Sequence, residues 1–186
     1  MQKTKEKIGA TAATETMSKA ASKTAAKLQN VTVRKGTAAD GDTLCDLISS
    51  LAEYERLTKP NQAARDRLKN DAFGPTPRFD TWFGEINGKP VGYAITFFTY
   101  STFLALPSLY LEDIFVLPDY RSQKIGKALF MHCVHLALEH NCGRMEWQVL
   151  HWNTPALEFY RGIGATRLEG WQPYRMVRSD LEKAAQ

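Results

Sequence analysis

Between residues 79 and 116 three stretches rich in aromatic and β-branched residues follow one another almost without a break: FDTWFGEI, PVGYAITFFTY and SLYLEDIFV. Asn87-Gly88 between the first two suits the positive φ values of a tight hairpin, so those two runs pair antiparallel. Pro118 and Asp119 end the third run. The period then changes, with Ile125, Leu129, Val134, Leu136 and Leu138 supplying the apolar surface of a helix over 125–139. Upstream, VTVRKG reads as a short strand, and Leu44, Leu47, Ile48 and Leu51 recur at helical spacing behind the caps Thr37 or Asp40. A more polar helix over 61–72 precedes the breaker FGPTP. Downstream, RMEWQVL reads as a strand, 154–161 as a short helix with Pro155 in its first turn, and GATRLEGWQPYRMV as closing strand material. The order β-α-α-β-β-β-α-β-α-β predicts an α/β protein of α+β type, a mixed and mostly antiparallel sheet flanked by helices.

Residues 1–30 are built differently. They are rich in Ala, Thr, Lys and Ser with almost no large apolar side chain, too little to offset the entropy of ordering, and are expected to be a flexible tail. A transit peptide is the alternative, against which stand two glutamates and the lack of arginine in this stretch. The folded domain is therefore placed at 31–186.

The net charge of +4 lies in that tail, whose six lysines and two glutamates account for it, leaving 18 basic and 18 acidic residues in 31–186. A neutral domain without a basic stripe argues against nucleic-acid binding. No apolar run approaches the roughly 18 residues a membrane span needs, and no secretory signal is visible, so a cytoplasmic protein is expected. Cys45, Cys133 and Cys142 form no CxxC pair, which fits a reduced compartment. The histidines at 132, 135, 140 and 151 lack the HExxH arrangement, so no metal is expected.

The chemistry concentrates in LYLEDIFVLPDYRSQKIGKALF, a strand, a turn and a helix start. Amides exposed at a helix N-terminus bind anions, phosphates above all, and Arg121 adds a basic group there. This run resembles the acetyl-CoA motif of the GNAT superfamily of N-acetyltransferases, whose loop R/Q-x-x-G-x-G/A wraps the pyrophosphate. The loop is here Arg121, Ser122, Gln123, Lys124, Ile125 and Gly126. Lys124 replaces the family's first glycine. If that position needs a left-handed backbone, acetyl-CoA binding should be weakened; if it is helical, the ammonium lies near the phosphates.

A second segment, RMEWQVLHWNTPALEFYRGIGA, carries the family pattern W-N-x-x-A-x-x-F-Y-x-x-x-G-A at Trp152, Asn153, Ala156, Phe159, Tyr160, Gly164 and Ala165. The resemblance implies cosubstrate contacts from Ile114, Phe115, Val116, the loop with Lys127, Asn153, Pro155, Ala156 and Tyr160. It also implies that Tyr160 protonates the departing thiolate, a sensible task for a phenol of pKa about 10. LAEYERL, LYLEDIFV, EWQVLHWN and EGWQPYRM together resemble the spermidine/spermine and thialysine acetyltransferase branch over residues 31–183.

That branch implies a small cationic amine as substrate, a homodimer, and substrate contacts from Tyr54, Glu55, Glu112, Glu146, Trp147, Gln148 and Glu169. Glu112 is the candidate base. Because neighbouring strand residues face opposite ways, only one of Glu112 and Asp113 is expected to face the amine. His151 stands where the branch has an acidic residue, and ordinary surface carboxylates remain an equal reading of Glu146 and Glu169. The expected reaction is direct acetyl transfer from acetyl-CoA to a primary amine in a ternary complex. The alternatives are acetylation of proteins or peptides, and a catalytically weak acyl-CoA-binding module.

Overall fold

The computed structural model describes residues 30–186, so the expected tail lies outside the described residues but for Asn30. The chain divides into two compact units, 1–147 and 148–186, each taken by itself.

The first unit holds one sheet in the order β1 (Val31–Lys35), β2 (Asp80–Ile86), β3 (Lys89–Ser101), β4 (Leu106–Val116) and β5 (Arg144–Trp147). The first four strands pair antiparallel, and β5 joins β4 in parallel. The hairpin between β2 and β3 turns on Asn87 and Gly88, both at positive φ, 51° and 80°, as a two-residue turn requires. Helices α1 (Gly41–Tyr54), α2 (Gln62–Phe73) and α3 (Ile125–Glu139) complete the unit.

Strand alternation sends side chains to two faces. Phe83, Tyr93, Ile95 and Phe115 meet Leu44 and Leu47 of α1 in a buried cluster. The neighbours of these strand residues face α3, where the space is tight: a Cβ on Gly84 would stand 2.6 Å from Ile125 Cγ2. Helix α1 thus covers one face and α3 the other. An ion-pair group ties β1 and β2 to the turn before α1. Arg34 bonds Asp40 at 2.7 Å and Glu85 at 2.6 Å, and its hydrogen bonds hold the Asp40 carboxyl well below the usual carboxylate range.

The second unit contains α4 (Thr154–Gly162) and α5 (Arg178–Ala184). The expected closing strand does not form: residues 164–177 enter no ladder among the described residues. Gly164 and Gly170 adopt φ of 87° and 91°, and Pro173 has no N–H to give, so the run cannot stay extended and paired. Gly164 instead ends α4: its N–H bonds Arg161 O, and the Ala165 N–H bonds Tyr160 O, a Schellman closure. Helix α5 was not foreseen, although Arg178 and Glu182 pair across one turn. The strand expected over 144–150 stops at Trp147.

Candidate active site

Strand β4 carries the site because its ladder is irregular. Ile95 pairs with Asp113 and Thr96 with Leu111, which leaves Glu112 as an extra residue in a β-bulge. Phe97 pairs with Tyr110. Ile95 and Phe97 lie two apart on β3 and share a face, so Asp113 and Tyr110 share it too, although they lie three positions apart. The expectation that Glu112 and Asp113 point opposite ways rests on an unbroken ladder, and here the ladder is broken between them. Burial raises the pKa of both Asp113 and Tyr110, and the charge of Glu112 raises each further.

Beyond the bulge β4 loses its partner on one side. The ladder to β5 ends at Leu111 opposite Trp147. The Leu117 N–H bonds Val91 O, so by antiparallel alternation the Phe115 peptide groups face β3, while those of Ile114 and Val116 face the open edge. Of the three strand residues expected to meet the cosubstrate, Ile114 and Val116 thus present main-chain donors and acceptors, and Phe115 gives its side chain to the core.

The carboxylates gather on the α1 face. The Tyr93 hydroxyl, on a wholly buried residue, donates to Asp113 Oδ2 at 3.2 Å. Burial, then the charge of Glu112, pushes Asp113 up to about 6; the Tyr93 bond lowers it and Glu55 raises it. Burial also raises the Glu55 carboxyl. Glu55 is held there by the end of α1, where Arg56 takes a left-handed φ of 61° and the Leu57 N–H bonds Ala52 O. Among the described residues no cation pairs with Glu55, Glu112 or Asp113.

Glu146 lies opposite Tyr110, and its charge also raises that hydroxyl, but Arg144 Nε already pairs with it at 3.0 Å. Trp147 lies opposite Leu111, on the other face, edge-on to Phe130 of α3 at 5.2 Å. Gln148, Asn153, Pro155, Ala156, Tyr160 and Glu169 belong to the second unit. There Asn153 stands at the N-cap of α4, Pro155 in its first turn, and Tyr160 is buried, while His151 and Glu169 are exposed.

The loop before α3 answers the question Lys124 poses. Lys124 is the N-cap of α3 in the left-handed conformation, φ 67° and ψ 2°, and Ser122 also has a positive φ of 62°. Glycine is the residue such a position suits. Gln123 bonds the Asp119 carbonyl at 3.2 Å, and Lys127 is exposed in the first turn of α3. The neighbours of Gly126 do not require a glycine: a Cβ there would meet only Val116 Cγ2, at 3.7 Å. An N-terminal turn beside the edge of β4, where Ile114 and Val116 turn their peptide groups away from β3, is a fitting cradle for a phosphate-bearing chain.

Sequence reasoning missed Tyr93 as a partner in this group, and weighed Asp113 only as the alternative to Glu112. The signal was two adjacent carboxylates inside an otherwise apolar strand, a pattern that regular alternation does not readily accommodate.

The acetyltransferase (GNAT) family model matches residues 43–165. Thialysine N-epsilon-acetyltransferase of Bos taurus is 35% identical over 166 residues, covering 83% of this chain and 97% of that protein. Spermidine/spermine N(1)-acetyltransferase-like protein 1 of Homo sapiens is 31% identical over 159 residues, 80% of this chain and 23% of that protein. An integron cassette protein of V. cholerae shares the fold with a TM-score of 0.71, at 24% identity over 84% of this chain and 98% of its own. The chain belongs to the GNAT family of acetyltransferases. It is an enzyme that transfers an acetyl group from acetyl-CoA to an amine.

Proposed function

We propose that the amine is a primary amine of a small diamine, polyamine or lysine-like molecule. The observation that carries this reading is the set of Glu55, Glu112 and Asp113, brought within electrostatic reach of one another and left without a cationic partner among the described residues. A dication neutralises such a set, whereas a neutral acceptor leaves buried negative charge uncompensated. The relatives' names, thialysine and spermidine/spermine acetyltransferase, point the same way.

The amine arrives protonated, with a pKa near 10, and must lose a proton before attack. Glu112, exposed at the bulge and beside the open edge of β4, accepts that proton through water. Asp113, fixed by Tyr93, and Glu55 hold the remaining positive charge. Acetyl-CoA supplies the activated acetyl group as a thioester. On the chain's side, the Ile114 and Val116 peptide groups bind the extended arm, while Arg121, Ser122, Gln123, Lys124, Ile125, Gly126 and Lys127 hold the phosphates. Asn153, Pro155 and Ala156 steady the arm, and Tyr160 gives a proton to the leaving thiolate.

In this proposal the acetyltransferase domain is residues 31–186, of which the family model matches 43–165. Phe103, 96% exposed, and Tyr100, 62% exposed, stand with Leu104 at the end of the β3–β4 hairpin and suit a homodimer contact. No helix among the described residues is long and apolar enough to cross a membrane, and a cytoplasmic site of action fits a small-amine substrate.

The test is radiolabelled acetyl-CoA with a panel of putrescine, spermidine, thialysine and lysine analogues, beside a peptide array. Turnover on the small amines supports the reading. Turnover confined to peptides sinks it.

A further inference from the structure

The family resemblance assigns Tyr54 to the amine. The surroundings of its ring point elsewhere. The Arg121 guanidinium lies over the Tyr54 ring at 4.5 Å from its centroid, and 5.6 Å from that of Phe115. The two rings are tilted 50° to each other with centroids 6.3 Å apart, so they form a corner in which the guanidinium sits. Arg121 Nε donates to Val116 O at 3.1 Å, a carbonyl on the open edge of β4. One hydrogen bond and two rings thus fix the arginine's orientation.

Among the described residues that is the only hydrogen bond the guanidinium makes, which leaves both Nη groups to offer outward. Arginine with its plane stacked and its Nη pair unused is arranged to read a phosphate in bidentate fashion. Tyr54 is the last residue of α1, and the negative end of that helix dipole favours a cation beside it. A ring face covered by an arginine cannot also hold the ammonium of a substrate, because the two cations would compete for the same negative face and repel each other.

We propose that Tyr54 is a positioning residue for the cosubstrate: its ring, with Phe115, holds the Arg121 guanidinium aligned on the phosphates of CoA, and the amine's cation is met by carboxylates instead. The proposal rests on the reading of Arg121 as a phosphate-loop residue and makes α1 part of the cosubstrate site. The binding arm of its test needs no amine, and the steady-state arm uses spermidine as the acceptor.

The experiment is calorimetric titration of CoA into the full chain and the variants Tyr54→Phe, Tyr54→Leu, Arg121→Gln and the double variant Tyr54→Leu/Arg121→Gln. A cation–π contact at a partly exposed site corresponds to about a three- to tenfold change in Kd. The expected result is that Tyr54→Leu weakens CoA by about that factor, Tyr54→Phe restores it, and Tyr54→Leu has no further effect once Arg121 is glutamine. In steady state, KM for acetyl-CoA rises in Tyr54→Leu while KM for the amine stays. Additive losses, or a rise confined to the amine KM, overturn the proposal. If Arg121→Gln leaves CoA affinity unchanged, the phosphate-loop reading fails, and the proposal with it. If Arg121→Gln weakens CoA and Tyr54→Leu does not, the positioning role alone is refuted.

Discussion

Replacing Lys124 separates two properties of one side chain. The residue sits at φ 67°, ψ 2°, at the N-cap of α3. An L-residue in the left-handed region costs roughly 1–2 kcal/mol relative to glycine, from the Cβ against its own carbonyl. Glycine gives back about 0.4–1 kcal/mol through the greater freedom of its unfolded chain. The net for Lys124→Gly is therefore a gain of about 0.5–1 kcal/mol, or roughly 1–4 °C in Tm for a chain of this size. Lys124→Ala keeps the Cβ and removes the ammonium, so its Tm should stay near that of the wild type. Differential scanning calorimetry of the three proteins reads the backbone term. An alanine variant stabilised as much as the glycine variant would refute the strain argument. CoA titration of the same proteins reads the charge. The glycine variant is expected to bind at least as tightly as wild type, and a clear loss in both variants would show the ammonium to be a phosphate ligand.

Gly84→Ala places a Cβ 2.6 Å from Ile125 Cγ2, and overpacking of that kind should lower stability by about 1–3 kcal/mol in urea unfolding. Gly126→Ala meets only ordinary contact at 3.7 Å, so Tm should hold or rise while CoA affinity falls at least about tenfold; retained affinity would remove Gly126 from the cosubstrate site. Asp113 has a folded pKa raised to about 6, so the folded state holds its proton more tightly than the unfolded one. Its contribution to stability is present at low pH and lost as pH climbs from about 4 to about 6, by at most about 3 kcal/mol before solvent screening. Asp113→Asn should remove that slope in chemical unfolding across this window, and it should flatten the loss of kcat/KM below about pH 6. An unchanged slope would mean that Asp113 is not buried as its contacts require.

Local pattern determined much of this protein. The apolar periods placed the five strands and the helices at 41–54, 62–73, 125–139 and 154–162 to within a few residues, because each is a short-range property of the chain. Asn87-Gly88 determined the hairpin for the same reason. The loop Arg121–Gly126 pointed to anion binding, which at a helix start uses residues close in sequence, and the resemblance of the Trp152–Ala165 motif to the family pattern pointed to acetyl transfer. The closing strand was misread because extended residues become a strand only by pairing, and the positive φ at Gly164 and Gly170 breaks the run. Tertiary structure alone decided the rest. The bulge at Glu112 arises from how β4 registers against β3, and it sets Asp113 on the face of Tyr110, three positions away, where unbroken alternation would not. The left-handed backbone at Lys124 belongs to the turn that enters α3, and nothing in a lysine's own preference announces it. The seat of Arg121 on Tyr54 joins residues 67 apart in sequence. No period or spacing can encode such a pair, because it exists only once α1 and β4 have packed against each other.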